Sequence, residues 1–171
     1  MRGEIVTYLQ MTSPSQLVAA RRPPAHLELE PAREPAAPLL RSAYVRVGGP
    51  LRWTGRSAWS DANWEEELSR PGIQAWVARL DDEVIGFVEL EAESNGDVGI
   101  VVFGLFPEFI GRGLGGALLT LATQLAWKVT APDGTPARRV WVQTSSRDHP
   151  HARQNYEARG FRTFRRERAQ G

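Results

Sequence analysis

The chain has 171 residues, 42% of them apolar and 24% charged, with a formal net charge of +1, which suits one globular domain with a core of its own. A charge so near zero gives no footprint for nucleic acid or a membrane surface. The absence of cysteine excludes disulfides, thiolate nucleophiles and cysteine-ligated zinc. Lys128 is the only lysine among many arginines, a bias that coding composition produces without a functional cause. The opening MRGEIVTYLQMTSP has neither the apolar core nor the cleavage pattern of a secretory signal. The most apolar run, ALLTLATQLAW, is far shorter than a membrane span. The expectation is a soluble, cytoplasmic protein with no nucleic-acid or membrane partner.

In chain order, Ile5 to Leu9 reads as a short strand. A Pro- and Arg-rich stretch follows from Pro14 to Pro38, with the alternating AHLELE inside it as a second strand; an extra arm is the other reading of this region. Pro38 to Val47 is a short helix stopped by Gly48-Gly49-Pro50. Ser60 or Asp61 caps a helix with Glu65, Glu66 and Glu67 in its first turns, and Pro71-Gly72 ends it. Ile73 to Leu80 and Glu83 to Glu91 form a hairpin about Asp81-Asp82. Val98 to Phe106 is the next strand, and Gly104 marks a bulge in it. A helix runs from about Leu114 to Val129 with a stripe of Leu114, Leu118, Leu121, Leu125 and Val129. After a loop at Pro132 to Pro136 comes a strand, Arg139 to Thr144, with Val140 and Val142 on one side and Trp141 and Gln143 on the other. Pro150 to Arg159 is a helix ended by Gly160, and Phe161 to Arg166 is a last strand. Strands come first, then helix, strand, helix, strand, which is a mixed α/β domain.

The segment PEFIGRGLGGALL, Pro107 to Leu119, asks for a chemical reason. Four glycines just ahead of an apolar helix let a ligand approach the main chain, and amides at a helix start favour an anion. Gly111, Gly113 and Gly116 also match the dinucleotide pattern G-x-G-x-x-G, but that pattern belongs in the first strand–helix turn of its fold. Here several strands precede it, and Asp133, near the required distance, sits in a Pro-Asp-Gly turn. A bare structural turn is the remaining alternative.

The spacing Pro107-x-Phe109-x-Gly111-x-Gly113-Leu114-Gly115-x-x-Leu118-Leu119 resembles the acetyl-CoA pyrophosphate loop of the GNAT superfamily of N-acyltransferases. Gly113 and Gly115 take that motif's glycine places. Ile110 stands where the family has Gln or Arg, which leaves the anion to the amides of Gly111 to Gly116, with Arg112. A second stretch, Ala152-Arg-Gln-Asn-Tyr156-Glu-Ala-Arg-Gly160-Phe161, resembles the family's A-x-x-x-Y-x-x-x-G-F segment, and His149 stands where many members have Asn against pantetheine. The likeness covers about Gln74 to Phe164 and looks like a bacterial branch with unassigned acceptors. It implies an α/β (α+β) fold: a mixed, mostly antiparallel sheet splayed around a cofactor cleft and flanked by helices. On this reading residues 1–40 are N-terminal strands and the Pro/Arg-rich segment, and 41–171 are the acetyltransferase domain.

The resemblance also implies roles. Acetyl-CoA would be the cosubstrate, held by Phe103, Leu105, Ile110, Gly111, Arg112, Gly113, Leu114, Gly115, Gly116 and His149. Leu105 would offer its backbone amide to the oxyanion, and Tyr156 would protonate the leaving thiolate. The family's strand glutamate is missing from DVGIVVFGLF, so Glu89 on the preceding strand is the candidate base, with Glu91 beside it or water alone as the alternatives. Trp53, Trp59, Trp141 and Gln143 are candidates for the acceptor side. The acceptor would be a small-molecule or peptide amine, with a homodimer as a further expectation. A non-catalytic acyl-CoA-binding module of the same fold is the alternative. The pair His149 and His151, with no acidic cluster nearby, is poor support for a metal.

Overall fold

The computed structural model describes residues 3–21 and 26–169. Residues 22–25 of the Pro/Arg-rich stretch lie outside them. A seven-stranded sheet carries the fold, with β1 (Ile5–Met11), β2 (Leu27–Pro31), β3 (Ile73–Leu80), β4 (Glu83–Ala92), β5 (Asp97–Leu105), β6 (Arg139–Ser145) and β7 (Arg162–Arg168). Four helices flank it: α1 (Ala37–Gly48), α2 (Asp61–Ser69), α3 (Leu114–Lys128) and α4 (Ala152–Ala158). The strand order is β2-β3-β4-β5-β6-β1-β7, and every neighbouring pair is antiparallel except β5–β6. The fold is the mixed, mostly antiparallel α/β arrangement expected.

Alternation along β4 separates two cores. Phe87 and Val88 are adjacent, so they point to opposite faces, and both are fully buried. Phe87 joins Leu40, Tyr44 and Trp64 beneath α1 and α2. Val88 joins Leu9, Val140, Val142, Leu119 and Ala122 beneath α3. On α3 the most buried positions include Ala122 and Ala126, whereas Leu121 and Leu125 are half-buried. Leu114, Leu118 and Val129 of the expected stripe are buried too, so the buried face keeps most of that stripe and extends past it to Ala122 and Ala126. Ser60 caps α2 through a hydrogen bond accepted from the amide of Asn63, and Gly160, at φ 104°, follows α4 as expected.

The site is created where β5 and β6 part. Their parallel pairing runs only from Asp97 with Arg139 to Ile100 with Val142. Beyond it β5 stays on β4 through Val102 to Leu105, and β6 stays on β1 through Gln143 to Ser145. The bulge lies at Val101, because Glu89 pairs with Val102 while Leu90 pairs with Ile100. This corrects the expectation for Gly104, which pairs regularly with Phe87. Gly104 is small for another reason: a Cβ there would collide with Val47 Cγ1 on α1. β1 lies inside the sheet between β6 and β7. Among the described residues, no helix is long and apolar enough to cross a membrane.

Candidate active site

The glycine loop joins β5 to α3 and needs its glycines for two reasons. Gly111 and Gly113 have φ of 80° and 75°, which side chains of the L series adopt at a cost; nothing lies within 4 Å of a Cβ at either, so conformation and not crowding is the constraint. Gly116 is in the helix, where a Cβ would stand 2.5 Å from Arg159 Nη1 and 3.4 Å from Asn155 Oδ1. Gly113 is the residue before α3 and no side chain caps the helix. The first-turn amides of α3 therefore keep their donors for a ligand.

Two cavities meet where the sheet parts, and the smaller of them opens at this loop. The smaller, about 290 Å³, runs from Ile110, Gly111, Gly115 and Gly116 along Phe103, Gly104 and Leu105 of β5 to His149, Asn155 and Tyr156. The larger, about 600 Å³, is lined by Tyr44, Arg52, Arg56, Trp59, Glu91 and Gln143 among others. Trp53, Phe103, Asp148 and Tyr156 line both. An elongated ligand with its anionic end on the loop would thus present its far end at these four residues. The uncapped amides and the left-handed glycines at one end of the smaller cavity fit the diphosphate of an acyl-CoA.

The junction has a defined chemistry. Tyr156, on α4, is 7% exposed, with its ring 6.3 Å from Phe103 and 6.2 Å from Phe161. Burial, and after it the negative charge of Asp148, push its phenol well above the ordinary value. Asp148 is held by three donors. The Trp53 indole Nε1 donates to Oδ1 at 2.8 Å, and the Thr144 hydroxyl and the Ser145 amide donate to Oδ2 at 2.9 Å each. The turn bringing it there closes on the Asp148 amide, which donates to the Ser145 carbonyl. The sequence reading missed Asp148; the S-S-R-D turn signal was present, but its Trp53 partner is 95 positions away.

The other expected residues divide. Trp59 and Gln143 line the larger cavity, and Trp53 lines both. Leu114 is buried in the core, and the Arg112 guanidinium sits over the Phe109 ring at 5.2 Å. Trp141 lies outside both cavities: its indole covers Gly99, where a Cβ would be 2.6 Å from Cζ2, and neighbours Tyr8. Glu89 must also be corrected as a candidate base. Its side chain is fully buried, and both oxygens accept from Arg56, Nη1 to Oε1 and Nη2 to Oε2 at 2.7 Å each. Glu89 lines neither cavity, so an acceptor amine does not reach it, and the bidentate pair holds it as the counter-ion of Arg56. Glu91 on the rim is bound to Arg70 at 2.8 Å. The His149 and His151 rings lie 5.2 Å apart, and among the described residues no three His, Asp or Glu gather as a metal site.

Comparison with known proteins gives a consistent result. The acetyltransferase (GNAT) family model matches residues 39–161. No curated protein sequence matches the chain. A GCN5-related N-acetyltransferase from Sphaerobacter thermophilus superposes with a TM-score of 0.71 at 16% identity, over 97% of this chain and 50% of that one. One from Kribbella flavida gives 0.62 at 18% identity, over 94% and 56%. An aminoglycoside acetyltransferase from an uncultured soil metagenomic sample, solved with sisomicin, gives 0.57 at 17% identity, over 78% and 85%. At these identities the likeness shows the fold, and this chain spans only about half the length of the first two structures. Because the family match covers well over half of the sequence, the chain belongs to the acetyltransferase (GNAT) family.

Proposed function

We propose that the chain is an acetyl-CoA-dependent N-acetyltransferase that moves an acetyl group to an amine by direct transfer in a ternary complex. The observation that carries this reading is the meeting of two cavities at Trp53, Phe103, Asp148 and Tyr156, with the uncapped start of α3 at the far end of one of them. Acetyl-CoA, when bound, supplies the activated acyl thioester. The amides of Gly111 to Gly116, with Arg112, hold its diphosphate through their donors and the positive end of α3. Phe103 to Leu105, on the part of β5 that β6 has left, offer main-chain groups to the pantetheine, and His149 stands on the opposite wall. The Leu105 amide stabilises the charge that develops on the carbonyl oxygen.

Tyr156 is the proton donor to the departing sulfur. A phenol is protonated at neutral pH, so the side chain has a proton to give, and burial and the Asp148 charge hold that proton until the thiolate forms. The acceptor amine enters through the larger cavity, past Trp53, Trp59 and Gln143. An alkylammonium has a pKa of about 10.4 and must lose a proton before it attacks, and the open, water-accessible cavity provides the route.

A thiol-release assay over a panel of primary amines tests this. Release of free thiol that depends on both acetyl-CoA and an amine is the expected outcome. Binding of CoA with no release for any amine would leave only a binding module.

A further inference from the structure

Asp148 carries a charge that the fold leaves uncompensated. Its three donors, the Trp53 indole, the Thr144 hydroxyl and the Ser145 amide, are all neutral. The other charges on the larger cavity are mostly engaged with one another. Arg56 is bound by Glu89 and Glu67, Arg70 by Glu67 and Glu91, and Arg147 by Glu4. Arg52, on the same wall, is exposed. No cation pairs with Asp148 among the described residues.

Position completes the case. Asp148 is one of the four residues common to both cavities, so a group held on it stands at the mouth of the smaller cavity beside Tyr156. An ionised carboxylate has about four acceptor sites, and the three donors leave capacity for one more. Those donors fix both oxygens, so a ligand meets a carboxylate already oriented. Trp53 and Trp59 line the larger cavity, and aromatic rings suit both an apolar stem and a cation.

We infer that Asp148 is the recognition site for the acceptor's ammonium group, and that the acceptor is a primary amine on an apolar stem which lies against Trp53 and Trp59. This rests on the acetyl-transfer reading above for the meaning of the ligand, though not for its binding. It also links acceptor to acid. The Asp148 charge helps to hold the Tyr156 proton; the ammonium recognised on Asp148 gives up its own proton to water in the larger cavity before the neutral amine attacks, and Tyr156 then protonates the departing sulfur.

The test is calorimetric titration of the wild-type chain and Asp148→Asn with 2-phenylethylamine and with its uncharged counterpart 2-phenylethanol, each with and without CoA. The wild type is expected to bind the amine at least about tenfold more tightly than the alcohol, the scale of a hydrogen bond to a charged group. Asp148→Asn is expected to lose about the same factor for the amine, in the titrations made without CoA as in those made with it. Equal binding of amine and alcohol by the wild type overturns the inference without any variant. So does unaltered amine affinity in Asp148→Asn, or no amine binding by the wild type. Failure of CoA to bind sinks the transfer reading instead, and the titrations made without CoA still read Asp148.

Discussion

Tyr156 and Glu89 are both buried, Tyr156 on the wall shared by the two cavities and Glu89 in an ion pair with Arg56. Tyr156→Phe removes the phenol but keeps the ring contacts with Phe103 and Phe161. We expect turnover to fall about a hundredfold or more with CoA affinity unchanged, as measured by steady-state kinetics beside titration. The same substitution has a stability signature. The folded-state pKa of Tyr156 lies above its unfolded value, so its contribution is complete below the ordinary phenol pKa and is lost as pH rises from there towards the folded value. The melting temperature of Tyr156→Phe should therefore fall less steeply than that of the wild type above about pH 10. For Glu89 the expectation is structural. Glu89→Ala takes both short hydrogen bonds from the Arg56 guanidinium, whose side chain is only 15% exposed, and leaves it Glu67 alone at 3.8 Å. That should cost about 3–5 kcal/mol in denaturant unfolding; a loss below about 1 kcal/mol would mean that the pair is not buried as described. Sequence could not show this pair, because its members are 33 positions apart on different segments of the chain, and without that partner Glu89 reads as a base.

At the scale of elements, local signals were read well where one strand or helix decides them. The hairpin of β3 and β4, the capped start of α2, and the glycine loop before α3 all follow from turn and capping residues. What sequence misplaced depends on a neighbour. The bulge was expected at Gly104 because glycine permits one; it lies at Val101, where β5 must change its partner from β6 to β4 alone. Gly104 answers to α1 instead, and this gives a prediction. Gly104→Ala should destabilise by about 1–3 kcal/mol through overpacking against Val47. Val47→Ala in the same chain should recover part of that loss, so that the two substitutions are not additive in unfolding measurements. The buried face of α3 is wider than the leucine stripe for a similar reason, since it takes in Ala122 and Ala126 beside Leu114, Leu118 and Val129, a feature set by the partner surface.

Across the whole molecule, the sheet order was the least legible feature. β1 pairs with β6 through Val6 with Ser145 and with β7 through Ile5 with Arg168, contacts that join the two ends of the sequence. A strand at the start of the chain with a Pro-rich segment after it gave no sign of that partner, so an extra arm was an open reading for it. The placement predicts that Leu9→Ala, at a fully buried position, lowers stability by about 2–5 kcal/mol in denaturant unfolding, where a change in a peripheral arm would have little effect. The same topology assembles the site. β6 ends beside β1, β5 leaves it at Val101, and the loop after β6 then carries Asp148 to the Trp53 indole and to the mouth of the cleft. The central claim is that the start of α3 holds the diphosphate of acetyl-CoA. Calorimetric titration of the wild type and of Gly113→Glu with acetyl-CoA tests it most directly. Gly113→Glu places a carboxylate and a strained backbone where the phosphates would lie, and like-charge opposition of several kcal/mol should weaken binding by roughly a hundredfold or more in a chain that is still folded by circular dichroism. Equal affinity of the two proteins, or no heat from the wild type, would contradict the account.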